Sequence, residues 1–130
     1  MQMGPAVNGE GDLPVMIVED DRDIRDVVTV LLEREGFATI PVADGETAVK
    51  LAHGQPIGLV FLDLVLPDVA GSDVLRRLRA DPTTADIPVV AFTALPQLAP
   101  KGVTVLKKPC DLDEIVSLVR EYRRKPRANV

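Results

Sequence analysis

Five short apolar runs, separated by stretches of helical periodicity, restrict this chain more than any other feature. They are Val15–Val18, Phe37–Val42, Ile57–Leu62, Ile87–Phe92 and Val103–Leu106. Each is too short for a core helix, carries no charge, and is rich in branched residues, so each reads as a buried strand. Between the first two runs, Asp21 to Glu35 places Ile24, Val27, Val28, Leu31 and Leu32 at helical spacing, and Gly36 ends the helix. Ala43-Asp44-Gly45 turns into a second helix from Glu46 to His53, stopped by Gly54. A third runs from Ser72, a candidate cap, to Ala80. Asp111 caps a last helix, with Leu112, Ile115, Val116, Val119 and Tyr122 on one face.

Strands that alternate with helices imply a parallel sheet covered on both faces, joined by right-handed crossovers. The expected fold is α/β, a single doubly wound domain whose five-stranded sheet has the order 2-1-3-4-5. Pro41 cannot donate to a ladder, which puts the second strand on an edge. Strands one and three then lie side by side.

That order brings unusual residues to one edge. Glu19-Asp20-Asp21 follows the first strand, Asp63 the third, Thr93 the fourth, and Lys107-Lys108-Pro109 the fifth. Open α/β sheets bind their ligands at the carboxyl ends of the strands. Glu19, Asp20 and Asp63 in one crevice repel one another unless a cation shares the site. Oxygen donors without sulfur or imidazole suit a hard ion such as Mg2+. Lys108 adds a mobile positive charge and Thr93 a hydroxyl donor. Such a cradle suits phosphoryl transfer, where positioning and charge neutralisation do most of the work. Asp63, alone at its strand end, is the candidate nucleophile, and Glu19 and Asp20 the candidate metal ligands. The competing reading is that acids at strand ends cap helices, which fits Asp21. For Asp63 taken singly the two readings stand level, and the set decides between them.

Composition narrows the alternatives. The chain has 130 residues, one domain's worth, and 46% are hydrophobic, enough for a core. Three Phe, one Tyr and no Trp make that core aliphatic and leave little for stacking on bases. Fifteen basic against 20 acidic residues give a net charge of −5, which argues against direct nucleic acid binding. The single Cys110 excludes an internal disulfide and reads as a small packed residue. The N-terminus does not have the pattern of a signal peptide, and no run is long enough to span a membrane, so a cytoplasmic location with no membrane partner is expected. Residues 1–12, with three glycines and Pro5, read as a flexible segment, 13–122 as the domain, and 123–130 as a solvated basic tail.

From Leu13 to Tyr122 the chain resembles the receiver domains of two-component response regulators. The resemblance rests on Val15-Met16-Ile17-Val18-Glu19-Asp20-Asp21, Phe61-Leu62-Asp63-Leu64-Val65-Leu66-Pro67-Asp68 with Gly71, Val90-Ala91-Phe92-Thr93-Ala94, and Lys108-Pro109. It implies a flavodoxin-like fold and a phosphorelay role. Asp63 would accept a phosphoryl group from a phosphohistidine of a histidine kinase or histidine phosphotransfer protein. Glu19, Asp20, Asp63 and the backbone carbonyl of Val65 would hold Mg2+, and Thr93 and Lys108 would bind phosphoryl oxygens. The Lys108–Pro109 peptide would be cis. The chain would be a phosphoacceptor that assists its own phosphorylation and dephosphorylation, not an enzyme acting on other molecules. The alternatives within the family are an adaptor or scaffold receiver, or the receiver portion of a longer hybrid kinase or regulator.

Three departures bear on output. The Thr93–Lys108 connection contains Pro96, Pro100 and Gly102, so the helix that the family carries there is expected to be missing or much reduced. The family's aromatic switch position, three residues before the lysine, holds Val105. The motif's Lys-Pro-Phe reads Lys108-Pro109-Cys110. The resemblance implies that the positions two residues after Asp63 and Thr93 flank the path of the attacking water; here they are Val65 and Leu95, apolar and unable to orient it, which predicts slow autodephosphorylation. A haloacid-dehalogenase-type phosphatase would need an Asp where Val65 stands. A phosphotransfer module would need an exposed His on a helical bundle, whereas His53 ends a short helix in a βα chain. A dinucleotide site would need a Gly-rich turn in place of Glu19-Asp20-Asp21.

Overall fold

Val15–Val18 and Leu59–Leu62 are buried along their whole length, as strands covered on both faces must be. The computed structural model describes residues 12–124. Within them the elements run β1 (Val15–Val18), α1 (Arg22–Arg34), β2 (Thr39–Val42), α2 (Gly45–Gly54), β3 (Leu59–Leu62), α3 (Gly71–Ala80), β4 (Val89–Thr93), β5 (Thr104–Lys107) and α4 (Leu112–Tyr122). The sheet is five-stranded and parallel, in the order β2-β1-β3-β4-β5, with the Pro41 strand on its edge as expected. The expected flexible segment and basic tail lie outside the described residues, apart from Asp12, Arg123 and Arg124.

Alternation along the strands divides the core in two. Met16, Val18, Val60, Leu62 and Ala91 face α2 and α3, packing on Ala48, Val49, Val74 and Leu78. Val15, Ile17, Leu59, Phe61, Val90 and Phe92 face α1 and α4, packing on Val28, Leu32, Ile115 and Val119. Phe61 and Phe92 stack with ring centres 4.7 Å apart. Each fully buried Leu or Ile contributes about 1.5–3 kcal/mol, so these two layers are the main source of stability.

Between β4 and β5 only Pro96–Leu98 is helical, as a single 3-10 turn. This matches the expected reduction of the family's helix. Pro96 opens the turn and Pro100 lies two residues beyond Leu98; neither has an N–H to extend a helical ladder. Ala99, Val103 and Val105 pack partly buried against the α2/α3 core layer.

Several local expectations are corrected. Ser72 is not the cap of α3. The helix begins at Gly71, with Ala70 in the cap position and no side-chain cap, because the Gly71 amide is satisfied by the Leu64 carbonyl at 3.0 Å. The ladders of β2, β3 and β4 start two residues later than the apolar runs, since pairing begins where Thr39 and Leu59 meet Val15. On α4, Ile115 and Val119 carry the burial while Leu112 and Tyr122 are exposed. Arg123 and Arg124, expected in a solvated tail, are docked. The Arg123 guanidinium stacks 4.8 Å from the Phe37 ring and lies 3.5 Å from Asp12, and Arg124 donates from its backbone N to Gly58 and from Nε to Ile57. Stacking on an aromatic face and bonds to free strand-end carbonyls outweigh hydration here.

Candidate functional site

Pairing of Val18 with Leu62 puts the next residue of each strand side by side at the carboxyl edge. Two backbone bonds carry the alignment past the strand ends: Asp63 N–H donates to Val18 O at 2.9 Å, and Glu19 N–H to Val42 O at 3.0 Å. On the other side Lys108 N–H donates to Thr93 O at 2.8 Å. Four strands thus deliver Glu19, Asp63, Thr93 and Lys108 to one cleft. Glu19, Asp20 and Asp63 each offer an oxygen within 4.8 Å of the others, as their strand positions predicted.

Glu19 is 2% exposed and Asp63 6%, whereas Asp20 is exposed. Glu19 Oε1 accepts from Lys108 Nζ at 2.6 Å, and its Oε2 accepts from the Asp21 amide at 3.1 Å. Asp63 Oδ2 accepts from Lys108 Nζ at 3.3 Å, and its Oδ1 from the Val65 amide at 3.0 Å. Burial pushes the Glu19 carboxyl up to about 7; the Lys108 bond opposes this, and the neighbouring Asp63 adds to it. For Lys108 burial works against the charge, but its bond to Glu19 and the charges of Asp63 and Glu19 win, so its pKa is raised. Lys108 Nζ lies over the Phe92 ring, 4.8 Å from the ring centre. Thr93, 1% exposed, accepts from the Leu95 amide at 2.9 Å and keeps its own proton to donate. Val65 and Leu95 stand exposed on the rim of the cleft. The Lys108–Pro109 peptide is cis.

One ammonium cannot balance three ionised carboxylates, two of them buried. The raised Glu19 pKa comes mainly from burial, with the neighbouring Asp63 as a smaller addition. An oxygen-only donor set with a surplus of negative charge fits a hard divalent cation, so the residues present suit Mg2+. A nucleophilic carboxylate, a fixed cation and a hydroxyl donor at one point can receive and stabilise a phosphoryl group.

Three further contributors shape the site; Arg25 escaped the sequence reading, and Asp68 and Gly71 were read only as part of a motif. Arg25, on the first turn of α1, donates from Nη1 to the backbone carbonyls of Glu19 at 2.8 Å and Asp20 at 3.3 Å. Asp68 accepts from the Gly45 and Glu46 amides, both at 2.9 Å, tying the loop after Asp63 to the start of α2. Gly71 meets that loop so closely that an added Cβ would lie 2.5 Å from both the Asp63 carbonyl oxygen and the Leu64 Cα. Gly71 was legible as part of the motif. The partners of Arg25 and Asp68 depend on loop paths that no periodicity encodes. His53 plays no part here; it bonds the Val49 carbonyl at 2.9 Å and Asp81 at 3.0 Å.

Comparison with known proteins agrees with this geometry. Residues 15–120 match the response regulator receiver domain family. The chain is 38% identical over 118 residues to the DNA-binding dual master transcriptional regulator RpaA of Synechocystis sp. (strain ATCC 27184 / PCC 6803 / Kazusa), covering 85% of this chain and 49% of that protein. It spans about half the length of the curated relatives it matches. A CheY-like response regulator receiver domain from Methylobacillus flagellatus superposes with a TM-score of 0.76 at 27% identity, over 85% of this chain and 98% of that one. The receiver domain of sensor histidine kinase PA1611 from Pseudomonas aeruginosa PAO1, solved with a magnesium ion coordinated in its active site cleft, gives 0.78 at 25% identity, over 85% and 97%.

Proposed function

This chain belongs to the response regulator receiver domains, and from that premise we propose that it is a phosphorelay receiver in which Asp63 is the phosphoacceptor. The observation that carries the proposal is the convergence of Asp63 with Glu19, Asp20 and Lys108 at one strand edge. An oxygen of Asp63 attacks the phosphorus of a phosphohistidine on a histidine kinase or phosphotransfer protein. The P–N bond breaks, and the imidazole leaves with that electron pair and takes up a proton. Asp63 is left as an acyl phosphate.

Glu19, Asp20, Asp63 and the Val65 carbonyl are the residues that would hold Mg2+. A bound Mg2+ supplies charge neutralisation on the transferring oxygens. Lys108 turns from its carboxylate partners to a phosphoryl oxygen, and Thr93 donates its hydroxyl to another. Burial of Asp63 and the apolar rim at Val65 and Leu95 limit access of water, which favours a long-lived acyl phosphate.

Phosphorylation would switch binding to an output partner. With Val105 at the switch position and a single 3-10 turn after β4, that output would not use an aromatic rotation or a full helix between β4 and β5. RpaA is described as a DNA-binding regulator; for this receiver the output would be protein binding as an adaptor or scaffold, or control of a longer hybrid kinase or regulator. The test is labelling by a phosphohistidine donor, for wild type and Asp63→Asn, with Mg2+ and with EDTA. Label that requires both Asp63 and Mg2+ is expected. Equal labelling of the variant would overturn the assignment.

A further inference from the structure

The two acids that follow β1 are held in different ways. The Glu19 side chain is buried and bonded at both oxygens. The Asp20 side chain is exposed, so its backbone sets the range over which its carboxylate can reach. Arg25 acts on that backbone. Its Nη1 donates to the Glu19 carbonyl at 2.8 Å and the Asp20 carbonyl at 3.3 Å. These oxygens belong to the two consecutive peptide planes that flank Asp20. Planes are rigid, so holding both fixes φ and ψ of Asp20. The backbone that carries the guanidinium is itself fixed: Arg25 sits in the first turn of α1, where its amide donates to the Asp21 carbonyl at 2.9 Å and Asp21 caps the helix through the Ile24 amide at 3.1 Å.

We propose that Arg25 is a positioning residue for the cation site: by holding both peptide planes that flank Asp20, it keeps the Asp20 carboxylate aimed at Glu19 and Asp63. This rests on the reading of Glu19, Asp20 and Asp63 as metal ligands. The guanidinium never touches the cation, and its charge opposes cation binding. The two roles therefore have opposite signs. If Arg25 were only a nearby charge, neutralising it would tighten Mg2+ binding. If it positions Asp20, removing its donor loosens binding. Groups that orient metal ligands from outside the coordination shell are typically worth about 10- to 100-fold in affinity.

The experiment is calorimetric titration of Mg2+ into wild type, Arg25→Met and Arg25→Lys, with urea unfolding in EDTA as a check on folding. Met removes the charge and the donor, and Lys keeps the charge and an N–H donor one atom short of Nη1. Arg25→Met is expected to weaken Mg2+ by about tenfold or more, and Arg25→Lys to recover part of the loss. Unchanged or tighter binding by Arg25→Met overturns the proposal, and so does equal weakening of the two variants. Absence of Mg2+ binding by the wild type overturns the metal reading itself, and the proposal with it. Wild-type binding with a silent Arg25→Met overturns the proposal alone.

Discussion

Glu19→Gln tests the electrostatics of the cleft directly. In the metal-free protein, burial raises the Glu19 carboxyl from 4.5 to about 7, against the Lys108 bond. A carboxyl whose folded pKa lies above its unfolded value binds its proton more tightly in the native state. Between 4.5 and about 7 the native protein therefore holds more protons than the unfolded chain. The resulting stabilisation is fully present below 4.5, falls as pH rises, and is lost once pH passes about 7. At about 1.4 kcal/mol per pH unit, the shift is worth about 3 kcal/mol. Gln cannot titrate, so the wild-type minus Glu19→Gln difference in unfolding free energy isolates this group. Urea denaturation in EDTA across that window should show the wild type losing about 3 kcal/mol relative to the variant as pH rises. Adding Mg2+ at the upper end should return much of the loss, because the ionised carboxylate then has a cation. Parallel pH profiles for the two proteins would show that Glu19 is ordinarily ionised in the cleft and refute the argument.

Other changes probe the same site. Lys108→Met removes the ammonium shared by Glu19 and Asp63; stranding buried carboxylates should cost about 3–5 kcal/mol in metal-free urea unfolding, and a loss near zero would mean that solvent already pairs them. Gly71→Ala drives a Cβ to 2.5 Å from the Asp63 carbonyl and Leu64 Cα, both backbone atoms that must move. It should destabilise by about 1–3 kcal/mol and slow labelling of Asp63, and wild-type behaviour in both assays would refute the contact. Val65→Asn places an amide on the exposed rim beside Asp63. It should speed loss of the aspartyl-phosphate several-fold in a decay assay, and an unaltered lifetime would show that the rim does not control water.

Topology was legible because parallel strands buried on both faces are written as uninterrupted apolar runs, and Val15–Val18 and Leu59–Leu62 are such runs. Once Pro41 put its strand on an edge, one strand order remained natural, and the order alone carried Glu19, Asp20, Asp63, Thr93 and Lys108 to a common edge. Periodicity was less informative about the width of a buried stripe. Val27 and Leu112 share the apolar spacing of their helices but are 52% and 49% exposed, because the seam between α1 and α4 is closed by Val28, Leu32, Ile115 and Val119. Spacing says which way a side chain points, not how far the neighbouring helix reaches.

What the sequence hid is the set of bonds between side chains and distant backbone. Arg123 and Arg124 read as part of a solvated tail, and Arg25 and Asp68 have no partner legible in the sequence, yet each is spent on main-chain groups or an aromatic face. Such partners are set by loop paths, and loops have no period. The same holds for Thr93. Its place at the site follows from the strand end, but its tie to the Leu95 amide at 2.9 Å does not. That bond joins the hydroxyl to the segment that opens the Pro96–Leu98 turn. A hydroxyl drawn toward a new acceptor in the cleft pulls on this backbone directly. The Pro96–Leu98 turn, one of the departures from the family pattern, is thus the segment next to the one that a change at Thr93 reaches first.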